Sequence, residues 1–237
     1  QGGYTALNQK WANGPADTNE LLVNIDLDHN PLGRGEFSIR MVDMESKFNL
    51  SAIRDERNSM ILQRALEMIG LDAGHVQVIT ESYLDWVDPD NNKRLHGAET
   101  DFYASLVPGA PYVAKNGPMD DISEMLLLNG MTPEVYFGGG GAAAVRLGET
   151  SGGINATSSA GLKDLFTTIS AAGMAVNANT ASADVLQLIP GMDAPLASAI
   201  IQTRAGPDHM DGTEDDLPFE QRGDLAAVPG ITPELLN

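Results

Sequence analysis

Glu81-Ser-Tyr-Leu-Asp-Trp-Val-Asp-Pro-Asp-Asn-Asn-Lys-Arg-Leu-His-Gly-Ala-Glu-Thr-Asp-Phe-Tyr103 begins as an apolar helical run, breaks into a cluster of oxygen-bearing side chains, and then resumes. Leu84 and Val87 share one helical face, with Trp86 beside them. Asp88, Asp90 and Asn92 stand at the first, third and fifth positions of a calcium loop, and Glu99 stands where the closing bidentate carboxylate belongs. Lys93 takes the sixth position, where the sharp turn of an EF-hand wants glycine. The spacing therefore suits a hard cation without describing a regular EF-hand. Asp, Asn and Pro also build ordinary exposed turns, so two readings stay open: a solvated turn, or a calcium loop. The oxygen ligands continue past the turn to Glu99 and Asp101, which a plain turn does not need.

Working outward, the acidic balance limits the partners. The chain has 14 basic and 33 acidic residues, a net charge of −19 that repels nucleic acid and anionic membrane surfaces and favours divalent cations. A length of 237 residues with 42% hydrophobic content is enough to bury a core. The absence of cysteine excludes disulfides, thiolate metal sites and cysteine nucleophiles. No stretch approaches the ~20 apolar residues of a membrane-spanning helix.

Before the acidic stretch, Leu21 to Leu27 and Glu36 to Val42 alternate in hydrophobicity, the second with Phe37, Ile39 and Met41 on one side. The turn-forming residues 28–35 between them predict an antiparallel hairpin with a long loop. Asp26, Asp28 and Asn30 have calcium-like spacing but no acidic residue to close the loop, so they read as part of this turn. From Asp55 to Ile69 the period becomes helical, with Ile61, Leu62, Ala65, Leu66 and Ile69 facing inward and Gly70 ending the helix. Further helices are predicted over Val76 to Val87 and Asp121 to Asn129. Gly130 caps the second of these, and Thr132-Pro133 starts the next.

The glycine-rich segment 138–158 lacks the residues of a phosphate cradle and reads as a mobile excursion or linker. Leu162 to Ile169 resumes a helical pattern. Val176 to Arg204 reads as two short helices joined at Pro190-Gly191, with Ser182 capping the first and Val185, Leu186, Ile189, Leu196, Ile200 and Ile201 packed between them. Leu225 to Leu236 repeats the Pro-Gly turn. Between these lies a second acidic loop containing Asp208, Asp211, Glu214, Asp215 and Asp216, which reads either as a solvated surface loop or as another oxygen-ligand site.

Catalytic chemistry finds little support. His29, His75, His96 and His209 stand in no catalytic or zinc spacing, and the exposed turn acids do not make a framed carboxylate pair, so no catalytic residue is assigned and a metal-dependent hydrolase is a minor alternative. The Pro190-Gly191 unit looks like a helix-hairpin-helix, a motif that grips DNA backbones. Its turn carries no lysine and is followed only by Arg204, so it reads as a packing device, with nucleic-acid binding as the other alternative.

Four motifs, in order along the chain, resemble the K-type minor pseudopilins of the bacterial type II secretion system. They are Val42-Asp-Met-Glu-Ser-Lys-Phe-Asn-Leu-Ser-Ala-Ile53; Asp85-Trp-Val-Asp-Pro-Asp90 with Gly97-Ala-Glu-Thr-Asp-Phe-Tyr103; Tyr112-Val-Ala-Lys-Asn-Gly-Pro118 with Ser123-Glu124; and Val176-Asn-Ala-Asn-Thr-Ala181. The resemblance implies an α+β fold, a pilin-like antiparallel sheet scaffold with a large inserted α-helical domain. The expected division is a pilin-like β portion over 1–46, the inserted helical domain over 47–205 with the hairpin unit at 180–204, and an acidic loop and return segment over 206–237.

It further implies a non-enzymatic subunit at the pseudopilus tip with bound calcium. The ion would be carried by Asp88, Asp90, Asn92 and Glu99 with Asp101, or by Asp211, Asp215 and Asp216. Expected partners are the I-type and J-type minor pseudopilins, with secreted substrates and the outer-membrane secretin beyond them, and no nucleic acid. The expected location is the periplasmic face of the inner membrane, with the anchoring N-terminal helix of the family missing from this chain and its C-terminal sheet strands missing or short. The family's helical-domain cysteines are absent here, and the glycine run at Gly138 looks like an insertion.

Overall fold

The computed structural model describes residues 3–16, 27–106, 111–138, 160–170, 173–233 and 235–236. In chain order the strands are β1 (Asn30–Leu32), β2 (Gly35–Phe37), β3 (Phe48–Asn49) and β4 (Phe166–Thr167). The helices are α1 (Glu56–Ile69), α2 (Ala73–Val87), α3 (Thr100–Leu106), α4 (Pro133–Phe137), α5 (Leu162–Leu165), α6 (Ala183–Gln187) and α7 (Ala194–Arg204). The fold is α+β: a helical unit, Lys47–Ala175, is inserted into a second unit made of Gln1–Ser46 and Val176–Asn237. Residues 176–205 thus group with the terminal segments rather than with the inserted unit.

Within the inserted unit, α1 forms where its pattern predicts. Asp55 accepts a hydrogen bond from the Asn58 amide at 2.8 Å, Gly70 ends the helix at φ 101°, and Ile61, Leu62, Ala65, Leu66 and Ile69 are buried. The next helix, α2, starts earlier than its apolar pattern suggests, because Asp72 caps the amides of Gly74 and His75. It buries Val76, Ile79, Tyr83, Leu84 and Trp86. The Tyr83 hydroxyl donates to the Leu50 carbonyl at 2.6 Å and lies 3.0 Å from that of Ile53, fixing the chain that enters α1.

Two stretches of this unit depart from expectation. Residues 122–127 form a 3-10 helix in place of the α-helix predicted over Asp121 to Asn129. It is held by a capping box between Asp121 and Glu124. Gly130 still follows, at φ 83° and under the Val78 side chain. The helix predicted from Leu162 stops at Leu165, where Phe166-Thr167 turns into β4 and pairs in parallel with Phe48-Asn49. Phe48 and Phe166, both buried, gain more from this non-local pairing than the local helical period offers.

In the other unit, β1 and β2 form an antiparallel hairpin in which Leu32 opposes Gly35 across Gly33-Arg34. Gly33 sits at φ 62°, as the first position of a primed two-residue turn requires. The predicted long loop is thus itself paired. Beyond β2 the Ile39 amide donates to the Leu27 carbonyl at 2.7 Å. The expected strand over residues 21–26 lies outside the described residues, as does nearly all of the glycine segment 138–158. Phe37, Ile39 and Met41, expected to face a core, are 39–47% exposed.

The hairpin unit 180–204 forms as expected, with Ser182 capping α6 and Asp193 capping α7. Val185, Leu186 and Ile200 are buried as predicted, and Leu188, Met192 and Ala197 join them. The later Pro-Gly turn packs reciprocally. A β-carbon on Gly191 would lie 3.2 Å from Leu235, and one on Gly230 would lie 3.3 Å from Leu196.

Candidate metal centre

The acidic stretch sits between two anchored helix ends. Trp86, near the end of α2, meets Tyr103 of α3 edge-on with ring centroids 5.2 Å apart, and Tyr112 stacks on Tyr103 at 5.1 Å. These contacts bring residues 88 and 99 back towards each other. Potential ligand atoms of Asp88, Asp90 and Glu99 all lie within 4.8 Å of one another.

The three carboxylates differ in their surroundings. Asp90 is exposed and accepts from the Asn92 amide at 2.7 Å. Asp88 is ion-paired to Arg94 Nη1 at 2.6 Å. Glu99 is 4% exposed, and neither of its carboxylate oxygens has a hydrogen-bond partner. Burial, reinforced by the negative charge of Asp85 and Asp88, pushes the Glu99 carboxyl up to about 7. A buried acid with no donor is expensive to keep ionised unless a cation lies beside it.

The loop is tied to α2 by residues that its calcium-like spacing does not reveal. Asp85, fully buried, accepts from both the side chain and the backbone of Arg94, at 2.7 and 3.2 Å. Burial raises its carboxyl above the ordinary range, and the Arg94 hydrogen bonds oppose that rise. Glu81 accepts from the His96 amide at 2.6 Å. Asn116 donates to the Asp90 carbonyl at 2.9 Å, while its own buried side-chain oxygen has no partner.

Of the other predicted ligands, Asp101 is exposed and outside the three-carboxylate group, and Asn92 is exposed, with its backbone N–H donating to Asp90 Oδ1. The second acidic loop is satisfied by protein donors. Asp211 is paired with Arg204 at 2.7 Å, Asp215 accepts from Thr213 and the Asp208 amide, and Asp216 accepts from the amides of Gly212 and Thr213. Among the described residues, Asp88, Asp90 and Glu99 form the group of carboxylates close enough together to share an ion. They fit a hard cation: all offer oxygen, and one is buried without a donor.

The Arg204 guanidinium is buried, donating to Asp211 and to the carbonyls of Ala178 and Ala181. It is therefore engaged by the hairpin and the segments flanking it rather than presented to a phosphate, which agrees with the packing reading of that unit.

Residues 46–137 match the family model of type II secretion system protein K, and residues 172–237 match that of the helix-hairpin-helix motif. A type II secretion system protein K from Klebsiella pneumoniae is 33% identical over 111 residues, covering 43% of this chain and 33% of the relative. One from Pectobacterium carotovorum subsp. carotovorum is 29% identical over 117 residues, covering 45% and 35%. The matched segments thus span about a third of these relatives. The structure is also similar to a chain in the crystal structure of the GspK-GspI-GspJ complex of enterotoxigenic Escherichia coli. That match has a TM-score of 0.61 at 19% identity and covers 98% of this chain and 69% of the other.

Proposed function

We propose that this chain, which belongs to the type II secretion system protein K family, is a minor pseudopilin whose inserted helical unit is held in shape by calcium in the 88–99 loop and ends the pseudopilus. On this reading the chain is a structural component of the secretion machinery that works at the periplasmic face of the inner membrane. Among the described residues no helix is long and apolar enough to cross a membrane. The observation that carries the calcium reading is Glu99, a buried carboxylate whose two oxygens have no hydrogen-bond partner and one of which lies within 4.8 Å of ligand atoms of Asp88 and Asp90. A divalent ion there would supply the charge and the coordination that the protein does not.

The similar structure is a complex with GspI and GspJ. That likeness supports the I-type and J-type minor pseudopilins as partners of this chain, and on the proposed reading the inserted unit takes the place that a further subunit would occupy. Two measurements test the reading. Calcium should raise the melting temperature relative to EDTA, since a ligand that binds only the native state stabilises it by mass action. The chain should also be retained by co-expressed I-type and J-type partners. No calcium shift would remove the metal, and no retention would remove the tip assembly.

A further inference from the structure

Arg94 stands in an unusual position for a residue inside an acidic loop. One nitrogen, Nη1, bridges two carboxylates, 2.7 Å from Asp85 and 2.6 Å from Asp88. Asp85 is fully buried and needs this counter-ion whether or not a metal is present. Asp88 belongs to the three-carboxylate group, and Arg94 holds its Oδ2. Glu99 is left with neither oxygen partnered. Arg94 therefore closes the loop against α2 while neutralising one of the three candidate ligands.

We infer that Arg94 is a resident cation that keeps the 88–99 loop folded without metal and holds its affinity for calcium below what the carboxylates alone would give. The inference rests on the calcium reading above. A divalent ion entering between Asp88, Asp90 and Glu99 meets the repulsion of the guanidinium and competes with it for Asp88. Without Arg94, the metal-free protein keeps uncompensated charge on Asp85 and Asp88, and bound calcium relieves more of it. Loss of Arg94 must then destabilise the metal-free form more than the calcium form, which by linkage is the same as tighter binding. A unit charge a few ångström from a divalent ion corresponds to a change on the order of tenfold, even at the dielectric constant of water.

The test is calorimetric titration of calcium chloride into the whole chain, with melting curves in EDTA and in calcium, for the wild type, Arg94→Lys and Arg94→Gln. Arg94→Gln is expected to bind calcium about tenfold more tightly, to melt lower in EDTA, and to show a wider gap between its two melting temperatures. Arg94→Lys, which keeps the charge, is expected to stay within about threefold of the wild type. Should Arg94→Gln not fold, the comparison is repeated between Asp85→Asn and Asp85→Asn/Arg94→Gln, where no buried carboxylate waits for a counter-ion, and the double variant is expected to bind more tightly. Calcium binding by the wild type with equal or weaker binding on loss of Arg94 overturns this inference and leaves the calcium reading standing. No binding by either protein overturns both.

Discussion

The backbone of Gly97 lies so close to the Asp85 carboxylate that a β-carbon at position 97 would overlap its Oδ2. The loop can therefore pass over the buried acid only with glycine at that point. Gly97→Ala should force the loop off Asp85 and disturb the Arg94 pairing, lowering stability by roughly 2–4 kcal/mol. Chemical denaturation of the variant in EDTA measures this. A loss below about 0.5 kcal/mol would mean that the loop can shift freely.

Glu99 gives a pH dependence of definite sign. Its carboxyl is pushed up to about 7 from 4.5, so between those values the folded chain binds more protons than the unfolded one. Its contribution to stability is present in full below the unfolded value and is lost as pH rises through about 7. In EDTA, stability should therefore fall by about 3 kcal/mol between pH 4.5 and 8 from this group, and calcium should flatten the fall. The same protonation makes calcium binding weaker at pH 6 than at pH 8, which titration at the two pH values reads directly.

Glu99→Gln removes the buried charge while keeping the shape. It should melt higher than the wild type in EDTA at pH 8 and show no further rise with calcium. A calcium shift equal to that of the wild type would place the ion elsewhere.

Away from the loop, Tyr83→Phe deletes the hydroxyl that donates to the Leu50 carbonyl and lies beside that of Ile53, in a fully buried setting. Leaving buried carbonyls without a donor costs about 1–3 kcal/mol. The loss should be the same in calcium and in EDTA, which separates core damage from damage to the metal loop.

Much of this could be read from the chain because it is written in local chemistry. The inward face of α1, the glycine after it, the Ser182 cap and the Pro190-Gly191 turn each depend on residues a few positions apart. That Asp88, Asp90 and Glu99 come together is legible for the same reason, since all three stand within twelve residues of one loop. Asp85 and Arg94 were not, because an acid in a helix and a basic residue in a polar loop look solvated until tertiary packing buries one against the other. The strand at Phe166-Thr167 was hidden likewise: its partner, Phe48-Asn49, is remote in sequence, and the local period favours helix. The hairpin register was missed because residues 28–35, rich in turn formers, contain strands of their own around Gly33.

The side-by-side pairing of β3 and β4 has a wider consequence. These strands stand near the opening and the close of the inserted unit, so its entrance and exit are zipped about 5 Å apart before the helices begin. A module tied off at its neck in this way can be lengthened, exchanged for another, or replaced by a short bridge without re-threading the scaffold that carries it.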